Sequence, residues 1–340
     1  MANRTLGAAV LGAGWVAGEH IKGYLQDPHV ELRALACPFP EELDRKKADY
    51  GLDCDLVVGS AEALAERDDV DLVSICTISN QHAKQAIELA RAGKHVLIEK
   101  PMATTLADLR ALREAVHEAG VRAMAGFVVR FYQLPVLIKK LVDDGSIGEI
   151  FYAGIDYWHD IHGDWKVRRE TAGNALLMGG CHAVDAIRWY LGAENDVVEV
   201  HAYSAAPRWR HDFDYDPTFV VNLKFADGAV GRVATSIECN MPYVLNIELE
   251  GTRGTIRNDD FYDSTWPGLN TWVKLPVIKP DSPDVSHHPF PEEVAYFVDC
   301  VRRDVEPMIG IDDAYKTHEI SFAAEISATE GRPVQLPLPE

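Results

Sequence analysis

The sequence lacks the features that mark several broad classes of protein. No apolar run approaches the ~20 residues that a membrane-spanning helix needs, and the early run TLGAAVLGAGW ends in glycines where a signal peptide would have a longer apolar stretch. Lysine and arginine together number 33 against 53 aspartate and glutamate residues, which gives a net charge of −20. This acidity argues against a nucleic-acid or anionic-membrane surface, because both attract cationic side chains.

The sequence also has few signs of a disulfide framework or a metal site. Its six cysteines form no C-x-x-C motif and most lie in apolar contexts, which predicts reduced, buried thiols in a cytoplasmic protein. The histidines lack the spacing of metal ligands, and the acidic stretch HDFDYD (211–216) is followed by Pro217 where a calcium loop needs glycine. We therefore expect no metal, and there is no G-x-S-x-G nucleophile motif.

What the sequence does contain fits two ordinary globular domains. Its 340 residues exceed a typical single domain, while its hydrophobic and charged fractions, 47% and 25%, are normal. The pattern of strands and helices changes after about residue 125. We predict one domain over residues 1–125 and a second over 126–340, with the helical residues 311–330 packing back on the first.

Short apolar runs alternate with helical segments through the first part of the chain. Strands are predicted over residues 5–11, 30–36, 70–77, 95–100 and 122–129, and helices up to about residue 26 and over 81–92 and 105–119. Thr105 and Asp108 form a capping-box pattern at the start of the last of these helices. The alternation predicts a parallel sheet with helices on both faces.

A glycine-rich turn follows the first predicted strand. Gly12, Gly14 and Ala17 have the spacing G-x-G-x-x-G/A, with Trp15 and Val16 between them. The first glycine allows a tight turn, the second lets the backbone approach a pyrophosphate, and the third small residue lets helix and strand pack closely. A strand before the turn and a helix after it predict a dinucleotide site.

The end of the second predicted strand distinguishes only weakly between NAD and NADP. The strand ends in Ala36-Cys37-Pro38, with no acidic residue for the ribose hydroxyls of NAD. No arginine stands at the turn to bind the 2′-phosphate of NADP, although Arg45 follows soon after. NAD is therefore favoured, and NADP stays open.

The stretch AGKHVLIEKPMA (92–103) ends a predicted strand on Glu99-Lys100-Pro101. A lysine at the carboxyl end of a parallel strand points to the crevice where ligands bind in such sheets. The proline after it is a candidate for a cis peptide bond. These features give Lys100 a predicted functional role.

With these motifs in place, the chain resembles the glucose–fructose oxidoreductase / inositol dehydrogenase (Gfo/Idh/MocA) family over nearly its whole length. The resemblance rests on AAVLGAGWVAG, on VDLVSICTISNQHAKQAIELARAGKHVLIEKPMA, on RFYQLP and DDGSIGEI, and on the closing GIDDAYKTHEISFAAEISATEGRPVQLP. It implies a Rossmann domain followed by an α+β domain with a large open, mainly antiparallel sheet. It also implies a homo-oligomer, a dimer or tetramer, formed through that sheet.

The second half supports this fold. Strands with alternating or apolar patterns are predicted over residues 150–158, 197–205, 218–225, 229–238, 244–251 and 254–259, and helices over 292–303 and 311–330. Between the first two strands, TAGNALLMGGCHAVDAIRWYLG (171–192) is predicted to be helical. Positions 178, 182, 185 and 189 would then share one face.

Three residues on that predicted face raise the question of proton transfer. Family members commonly carry an aspartate four residues before a histidine and another three residues after it. Here Met178 stands at the first aspartate position, followed by His182 and Asp185. Methionine cannot transfer a proton, so we interpret Met178 as apolar packing. His182 is the acid/base candidate, and Asp185 would either bind a substrate hydroxyl or pair with Arg188.

The candidate site residues fall into three groups. The catalytic candidates are Lys100, His182 and Asp185. The cofactor candidates are Gly12, Gly14, Trp15, Val16, Pro38, Thr77, Asn80, His82, Glu99 and Lys100. The substrate candidates are Arg130, Trp158, His159, Trp165, Arg168, Met178 and His182.

The resemblance implies an NAD(P)-dependent dehydrogenase acting on a secondary hydroxyl of a sugar, inositol or related cyclic polyol. Two alternatives stay open. One is an NAD-dependent glycoside hydrolase that works by transient oxidation and elimination. The other is a non-catalytic nucleotide-binding regulatory protein, which would not need Lys100 and His182.

Overall fold

The computed structural model describes residues 4–192, 194–277, 281–282 and 287–339 of the 340-residue chain, without the side chains of 281–282. It divides into two compact units. Unit 1 comprises residues 1–127 and 289–315, and unit 2 comprises residues 128–288 and 316–340. The division thus places residues 289–315 in unit 1, whereas the boundary predicted at 125/126 puts them in the second domain. Within the described residues, no helix is both long and apolar enough to cross a lipid bilayer.

Unit 1 is a doubly wound α/β fold. Its strands, numbered along the chain, are β1 (Leu6–Leu11), β2 (Val30–Cys37), β3 (Asp55–Val58), β4 (Leu72–Ile75), β5 (His95–Glu99) and β6 (Ala123–Gly126). Its helices are α1 (Trp15–Gln26), α2 (Pro40–Tyr50), α3 (Ala61–Ala65), α4 (Ser79–Arg91), α5 (Leu106–Ala119) and α9 (Phe290–Arg303). The six strands are all parallel, in the order β3-β2-β1-β4-β5-β6. The predicted Rossmann architecture is therefore confirmed.

Two local features of unit 1 follow directly from the sequence. The Thr105 side chain accepts a hydrogen bond from the backbone N–H of Asp108 at 3.1 Å, so the capping box starts α5 as predicted. Helix α9 packs against α1 where α1 carries Gly23. A Cβ atom at Gly23 would lie 2.7 Å from Cβ of Val294, so the close approach of the two helices requires glycine there.

Unit 2 is built on one large sheet. Its strands are β7 (Ile150–Trp158), β8 (Val197–Ala205), β9 (Thr218–Phe225), β10 (Val230–Ser236), β11 (Tyr243–Gly251), β12 (Gly254–Arg257), β13 (Asp260–Asp263), β14 (Val273–Lys274), β15 (Asp281–Ser282) and β16 (Val334–Gln335). The sheet order is β14-β13-β12-β11-β7-β10-β9-β8-β16, with β15 paired to β11. All pairs are antiparallel except β7 with β10. This confirms the predicted open, mainly antiparallel sheet.

The helical elements of unit 2 are short around the candidate site. They are 3₁₀ turns at Val128–Phe131 and Asp164–Val167, α6 (Gln133–Asp143), α7 (Arg169–Ala172), a π-helical turn at Leu176–Gly180, and α8 (Cys181–Leu191). Helix α10 (Ile311–Glu330) crosses the boundary between the units. The π-turn and α8 cover one face of the sheet, over β7 and β10. The opposite face exposes Tyr203, Val220 and Val230.

The prediction of one continuous helix over residues 171–192 is wrong. The chain leaves α7 at Gly173, forms a π-turn that contains Met178, and enters regular α-helix only at Cys181. His182 and Asp185 therefore keep their helical spacing. Met178 does not share that spacing, because a π-turn has more residues per turn than an α-helix. Apart from the two adjacent glycines, Gly179 and Gly180, nothing in the sequence indicated the π-turn.

Candidate active site

The glycine turn of unit 1 has the geometry that a pyrophosphate needs. Gly12 has φ +117°, and a Cβ there would lie 2.4 Å from the carbonyl oxygen of Cys76, so the tight turn excludes any other residue. Gly14 is the N-cap of α1, and a Cβ added to it would meet no atom within 4 Å. Open space thus adjoins the first turn of α1, where free N–H groups attract phosphate charge. These residues fit a bound dinucleotide.

The residues flanking this turn are placed at the same edge of the sheet. Trp15 is half exposed and lies edge-on to Phe290 of α9, with ring centroids 5.9 Å apart, and Val16 is partly buried beside it. Pro38 is exposed directly after β2. β1 and β2 are parallel neighbours, so the residues that follow them lie at the same carboxyl edge of the sheet. Dinucleotides bind at this edge in such sheets.

The loops after β4 and β5 are joined by a buried histidine. His82 lies with Nδ1 2.7 Å from the Pro101 carbonyl oxygen and Nε2 3.1 Å from the Thr77 carbonyl oxygen. Burial lowers the pKa of His82, which favours the neutral imidazole. His82 is 1% exposed and holds the two loops together, and its contact with the cofactor stays a prediction. Thr77 donates to Gln85 at 2.6 Å, and Asn80 lies in the first turn of α4.

Lys100 follows β5 at the same edge of the sheet. It is partly exposed, and its peptide bond to Pro101 is cis, as the sequence suggested. The lysine therefore stands at the carboxyl end of a central parallel strand, between the β4 loop and β6. This is the position at which α/β sheets of this kind present ligand-binding side chains.

Glu99 belongs to a buried network that sequence reasoning missed. His20 on α1 lies with Nε2 3.0 Å from Oε1 of Glu99 and Nδ1 2.9 Å from Oγ of Ser74, whose hydroxyl also lies 2.6 Å from that of Tyr24. Glu293 on α9 completes the group, and possible ligand atoms of His20, Glu99 and Glu293 lie within 4.8 Å of one another. Glu99 thus faces the interior of unit 1, and its contact with the cofactor stays a prediction.

Glu293 is the least satisfied member of this network. Its side chain is fully buried, and neither carboxyl oxygen has a hydrogen-bond partner among the described residues. Burial, together with the negative charge of Glu99, raises the pKa of Glu293 well above its usual value. The carboxyl group is therefore held as a neutral acid, because an ionised buried carboxylate would need a partner.

Replacing Glu293 with glutamine should flatten the dependence of stability on pH. The folded protein holds a proton on Glu293 that the unfolded chain releases near pH 4.5, so the stability from this group is full below that pH. It is lost as the pH rises through the raised pKa, by at most about 1.4 kcal/mol per pH unit. In thermal unfolding, we expect the stability of E293Q relative to wild type to rise as the pH increases above about 4.5.

The matched control is E292Q, because Glu292 is the exposed neighbour on the same turn of α9. Its stability should follow the wild-type pH profile. Parallel profiles for wild type and E293Q would show that Glu293 is ionised in the folded protein.

In unit 2, the paired glycines of ALLMGGCHAVD are explained by close packing on the sheet. A Cβ at Gly179 would lie 2.9 Å from both Ile237 Cγ2 and a ring carbon of Tyr157, and one at Gly180 would lie 2.8 Å from Cγ2 of Thr235. Larger residues would lift the π-turn from the sheet. Such π-turns occur often at functional sites, and this one presents Met178 and leads directly into His182.

Asn174 holds the start of this π-turn. Its side-chain oxygen accepts from the backbone N–H of Leu177 at 2.8 Å, and its carbonyl accepts from the N–H of Met178 at 2.8 Å. The Asn174 amide donates to Glu325 of α10 at 2.8 Å. The turn is therefore positioned by a buried side chain that no motif in the sequence singled out.

His182 lies in a cluster of aromatic and imidazole rings. Ring centroids are 5.4 Å apart between Tyr157 and His182, 5.5 Å between Tyr157 and Tyr243, and 5.3 Å between His159 and Tyr243. The Tyr157 hydroxyl lies 3.1 Å from Nδ1 of His159. The members of this aromatic cluster are Tyr132, Tyr157, His159, His182, Tyr243 and His288.

The structure thus brings together two predicted site residues, His159 and His182, with Tyr132, Tyr157, Tyr243 and His288. Tyr157 and Tyr243 lie on the buried face of β7 and β11, which alternate inward and outward along each strand. Burial raises the pKa of both phenols well above 10, so both stay protonated and able to donate hydrogen bonds. Rings and hydroxyl groups of this kind suit the mixed surface of a sugar or polyol.

Two other predicted site residues, Arg130 and Asp185, form a buried ion pair in which their charges compensate each other. Arg130 donates from Nε and Nη2 to the two carboxylate oxygens of Asp185, at 2.7 and 2.6 Å, and both side chains are buried. A bidentate pair of this kind is a strong, directional contact. Arg130 and Asp185 therefore form a buried ion pair inside unit 2, while Arg188 donates to Thr317 at 2.8 Å. The substrate contact of Arg130 and the catalytic role of Asp185 stay predictions.

Breaking this ion pair should destabilise the protein strongly. Changing Asp185 to asparagine leaves a buried guanidinium without its compensating charge, which typically costs about 3–5 kcal/mol. We expect urea unfolding of D185N to show a loss of that size. The double variant R130M/D185L removes both charges and should recover most of the lost stability, whereas an equal loss in single and double variants would show that the pair is not the cause.

Three further substrate candidates lie outside the aromatic cluster. Trp158 is the neighbour of Tyr157 on β7, so its side chain points to the other face of the sheet. Arg168 is exposed and donates to the Asp212 carbonyl at 3.3 Å. The Trp165 ring lies under the Lys166 ammonium at 5.7 Å. The role of these three residues in substrate binding stays a prediction.

The fold and the glycine turn define an oxidoreductase that binds NAD through a Rossmann domain. Residues 6–127 match the model described as "Oxidoreductase family, NAD-binding Rossmann fold", and residues 136–257 match the "GFO/IDH/MocA C-terminal domain". The chain belongs to the Gfo/Idh/MocA family and is an NAD-dependent oxidoreductase of that family, as the sequence resemblance implied.

Similar proteins of known name extend over most of the chain. It is 27% identical to scyllo-inositol 2-dehydrogenase (NAD(+)) of Bacillus subtilis, over 96% of this chain and 95% of that one. It is 29% identical to 2,7-anhydro-N-acetylneuraminate hydratase of Mediterraneibacter gnavus, over 75% and 68% of the two chains. The crystal structure of GenD2 from gentamicin A biosynthesis, in complex with NAD, aligns with a TM-score of 0.84 at 27% identity, covering 99% and 98%.

Proposed function

We propose that the protein transfers a hydride between nicotinamide and a secondary hydroxyl of an uncharged sugar, inositol or related cyclic polyol. The observation that carries the proposal is the aromatic cluster around His182, because it offers ring faces and phenol groups for a polyhydroxy ring. The buried charges beside it, Arg130 and Asp185, compensate each other. A neutral substrate therefore fits this surface of unit 2 better than a sugar acid.

Lys100 and His182 are assigned the chemical roles. Oxidation of an alcohol removes a hydride from carbon and a proton from oxygen, and NAD, when bound, would supply the hydride acceptor. Lys100 hydrogen-bonds the reacting oxygen and stabilises the negative charge that develops on it. His182 takes the hydroxyl proton, and returns it when the reaction runs as a reduction. Met178, which cannot share the proton, contributes an apolar contact at the π-turn.

The assignment is supported by where each unit places its residue. Lys100 follows a central parallel strand at the edge that carries the glycine turn. His182 is 2% exposed and lies in the first turn of α8, directly after the π-turn. The π-turn that leads into His182 is of a kind that occurs often at functional sites.

The experiment is a substrate panel read at the absorbance of NADH. Purified protein is incubated with NAD, and separately with NADP, and with scyllo-inositol, myo-inositol, levoglucosan, glucose, and glucuronate as the charged control. Net NADH formation with a neutral polyol supports the proposal. Preference for glucuronate over glucose would contradict the neutral substrate, and faster turnover with NADP would contradict the choice of cofactor.

A second candidate function is transient oxidation followed by elimination and re-reduction, with no net redox change. The similarity to a relative named as a hydratase favours keeping it, since that name denotes addition of water. Glycosides and anhydro-sugars belong in the same panel for this reason. Product formed without net NADH would select this route over the dehydrogenase.

The quaternary state and location are part of the proposal. The sheet face of unit 2 that lies opposite α8 carries Tyr203 and Val220, opposite each other on β8 and β9, and Val230 on β10, all exposed. Exposed apolar residues on a broad sheet suit a subunit interface, so a homo-oligomer is proposed. Size-exclusion chromatography with light scattering tests it, and Y203E should dissociate it. The six free, buried cysteines fit a reducing cytoplasm.

A further inference from the structure

The aromatic cluster contains one phenol that differs from the others. Tyr243 begins β11, is 2% exposed, and its hydroxyl has no hydrogen-bond partner among the described residues. Its neighbour Tyr157 is equally buried, but the Tyr157 hydroxyl lies 3.1 Å from His159 Nδ1. Buried hydroxyl groups are nearly always hydrogen-bonded, so the Tyr243 hydroxyl needs an explanation.

We propose that Tyr243 is a substrate-contacting, specificity-determining residue, whose phenol donates a hydrogen bond to a ring hydroxyl of the polyol. The inference rests on the proposed function, because it deepens the description of the same site. It assigns to Tyr243 the recognition of one hydroxyl group that is not the reacting one.

Three observations in unit 2 carry the inference. Tyr243 is linked to His182 through a single ring, since the Tyr157 ring centroid lies 5.5 Å from that of Tyr243 and 5.4 Å from that of His182. The rings of His159 and His288 lie 5.3 and 5.6 Å from the Tyr243 ring, so its orientation is fixed by packing.

The third observation is the protonation state of the phenol. Burial raises the pKa of Tyr243 well above 10, so the group remains an O–H donor across the pH range of any assay. A site that offers a buried donor discriminates strongly against a substrate lacking the matching oxygen, because the donor is then left unpaired.

The test compares Y243F with Y190F. Tyr190 of α8 is an equally buried phenol of unit 2, but its hydroxyl donates to the Pro135 carbonyl, at 3.5 Å. Y190F should therefore lower the thermal midpoint and leave KM unchanged. Y243F should leave the midpoint of the ligand-free protein unchanged or raised, because no internal hydrogen bond is lost.

With scyllo-inositol, myo-inositol or levoglucosan as the probe, we expect Y243F to raise KM by roughly 5–20-fold, which corresponds to about 1–2 kcal/mol. Its kcat and its KM for NAD should change by less than about twofold, since the contacted hydroxyl is remote from the hydride. For the monodeoxy derivative that lacks the contacted hydroxyl, wild type and Y243F should have the same KM.

Three results would each overturn the inference. One is an unchanged KM for every probe, the second is a raised KM for NAD, and the third is a thermal midpoint lowered as much as in Y190F. The last needs no substrate, so the inference is testable even if no probe is turned over. Failure of the proposed function is distinguishable, since it appears as the absence of any polyol oxidation by the wild-type protein.

Discussion

Replacing Lys100 with methionine is expected to lower kcat for polyol oxidation by about 10²–10³-fold. Methionine has a similar length but cannot donate a hydrogen bond, so the negative charge that develops on the reacting oxygen loses a preorganised partner. Removing one such donor from an enzyme typically has an effect of this size. The rate is measured as NADH formation at saturating substrate, with KM determined separately.

The control for this change is K84M. Lys84 is an exposed lysine on α4 of the same unit, so its loss removes one positive charge without touching the loop after β5. NAD binding, followed by fluorescence titration, should be retained in both variants. Undiminished turnover by K100M would refute the role assigned to Lys100, whereas loss of NAD binding would move that role from catalysis to cofactor affinity.

Replacing His182 with glutamine is expected to lower kcat by about 10²–10⁴-fold, the usual contribution of a general acid–base group. Glutamine fills a similar volume and can form hydrogen bonds, but it does not exchange a proton near neutral pH. The pH profile of kcat/KM should therefore lose the limb that reports the base. The π-turn and the contact with Tyr157 should persist, so the thermal midpoint should change little.

His162 provides the matched control, because it is an exposed histidine of unit 2 that pairs with Asp160 at 2.9 Å. H162Q should have the wild-type rate and pH profile. If H182Q kept the low-pH limb of its profile while losing activity, the histidine would be a structural member of the aromatic cluster and not the proton acceptor.

The fold of unit 1 could be predicted from the sequence because its signals are local. A glycine at the tight turn, a capping threonine at α5 and buried apolar strands each act over a few residues, and each has one structural solution. Strand β13 and the short strands β14, β15 and β16 were not predicted from the sequence. Their sequences are brief and their pairing depends on neighbours far along the chain.

The candidate site of unit 2 could be predicted only in part. His182 was selected because histidine has a distinctive chemistry, and its surroundings were then inferred from an ideal helix. The π-turn changes those surroundings, because it depends on how closely Gly179 and Gly180 approach the sheet. Tyr243 lies far from His182 in sequence, and only the pairing of β11 with β7 brings it near.

The pairing of Arg130 with Asp185 is a second contact that could not be predicted from the sequence. Both are residue types that bind polar substrates, and the sequence favoured that use of Arg130 while leaving it open for Asp185. They are 55 positions apart in sequence, and the fold brings them to a bidentate contact. If either side chain turned away to bind an exposed ligand, the other would be left as an unpaired buried charge.

We propose that Lys100 and His182 act on the same substrate oxygen in one chemical step. A double-mutant cycle on kcat, with wild type, K100M, H182Q and K100M/H182Q, tests it most directly. Groups that act as a unit are strongly non-additive. The account predicts that the double variant retains a rate within about tenfold of the slower single variant. A rate reduced by the full product of the two single losses would contradict it.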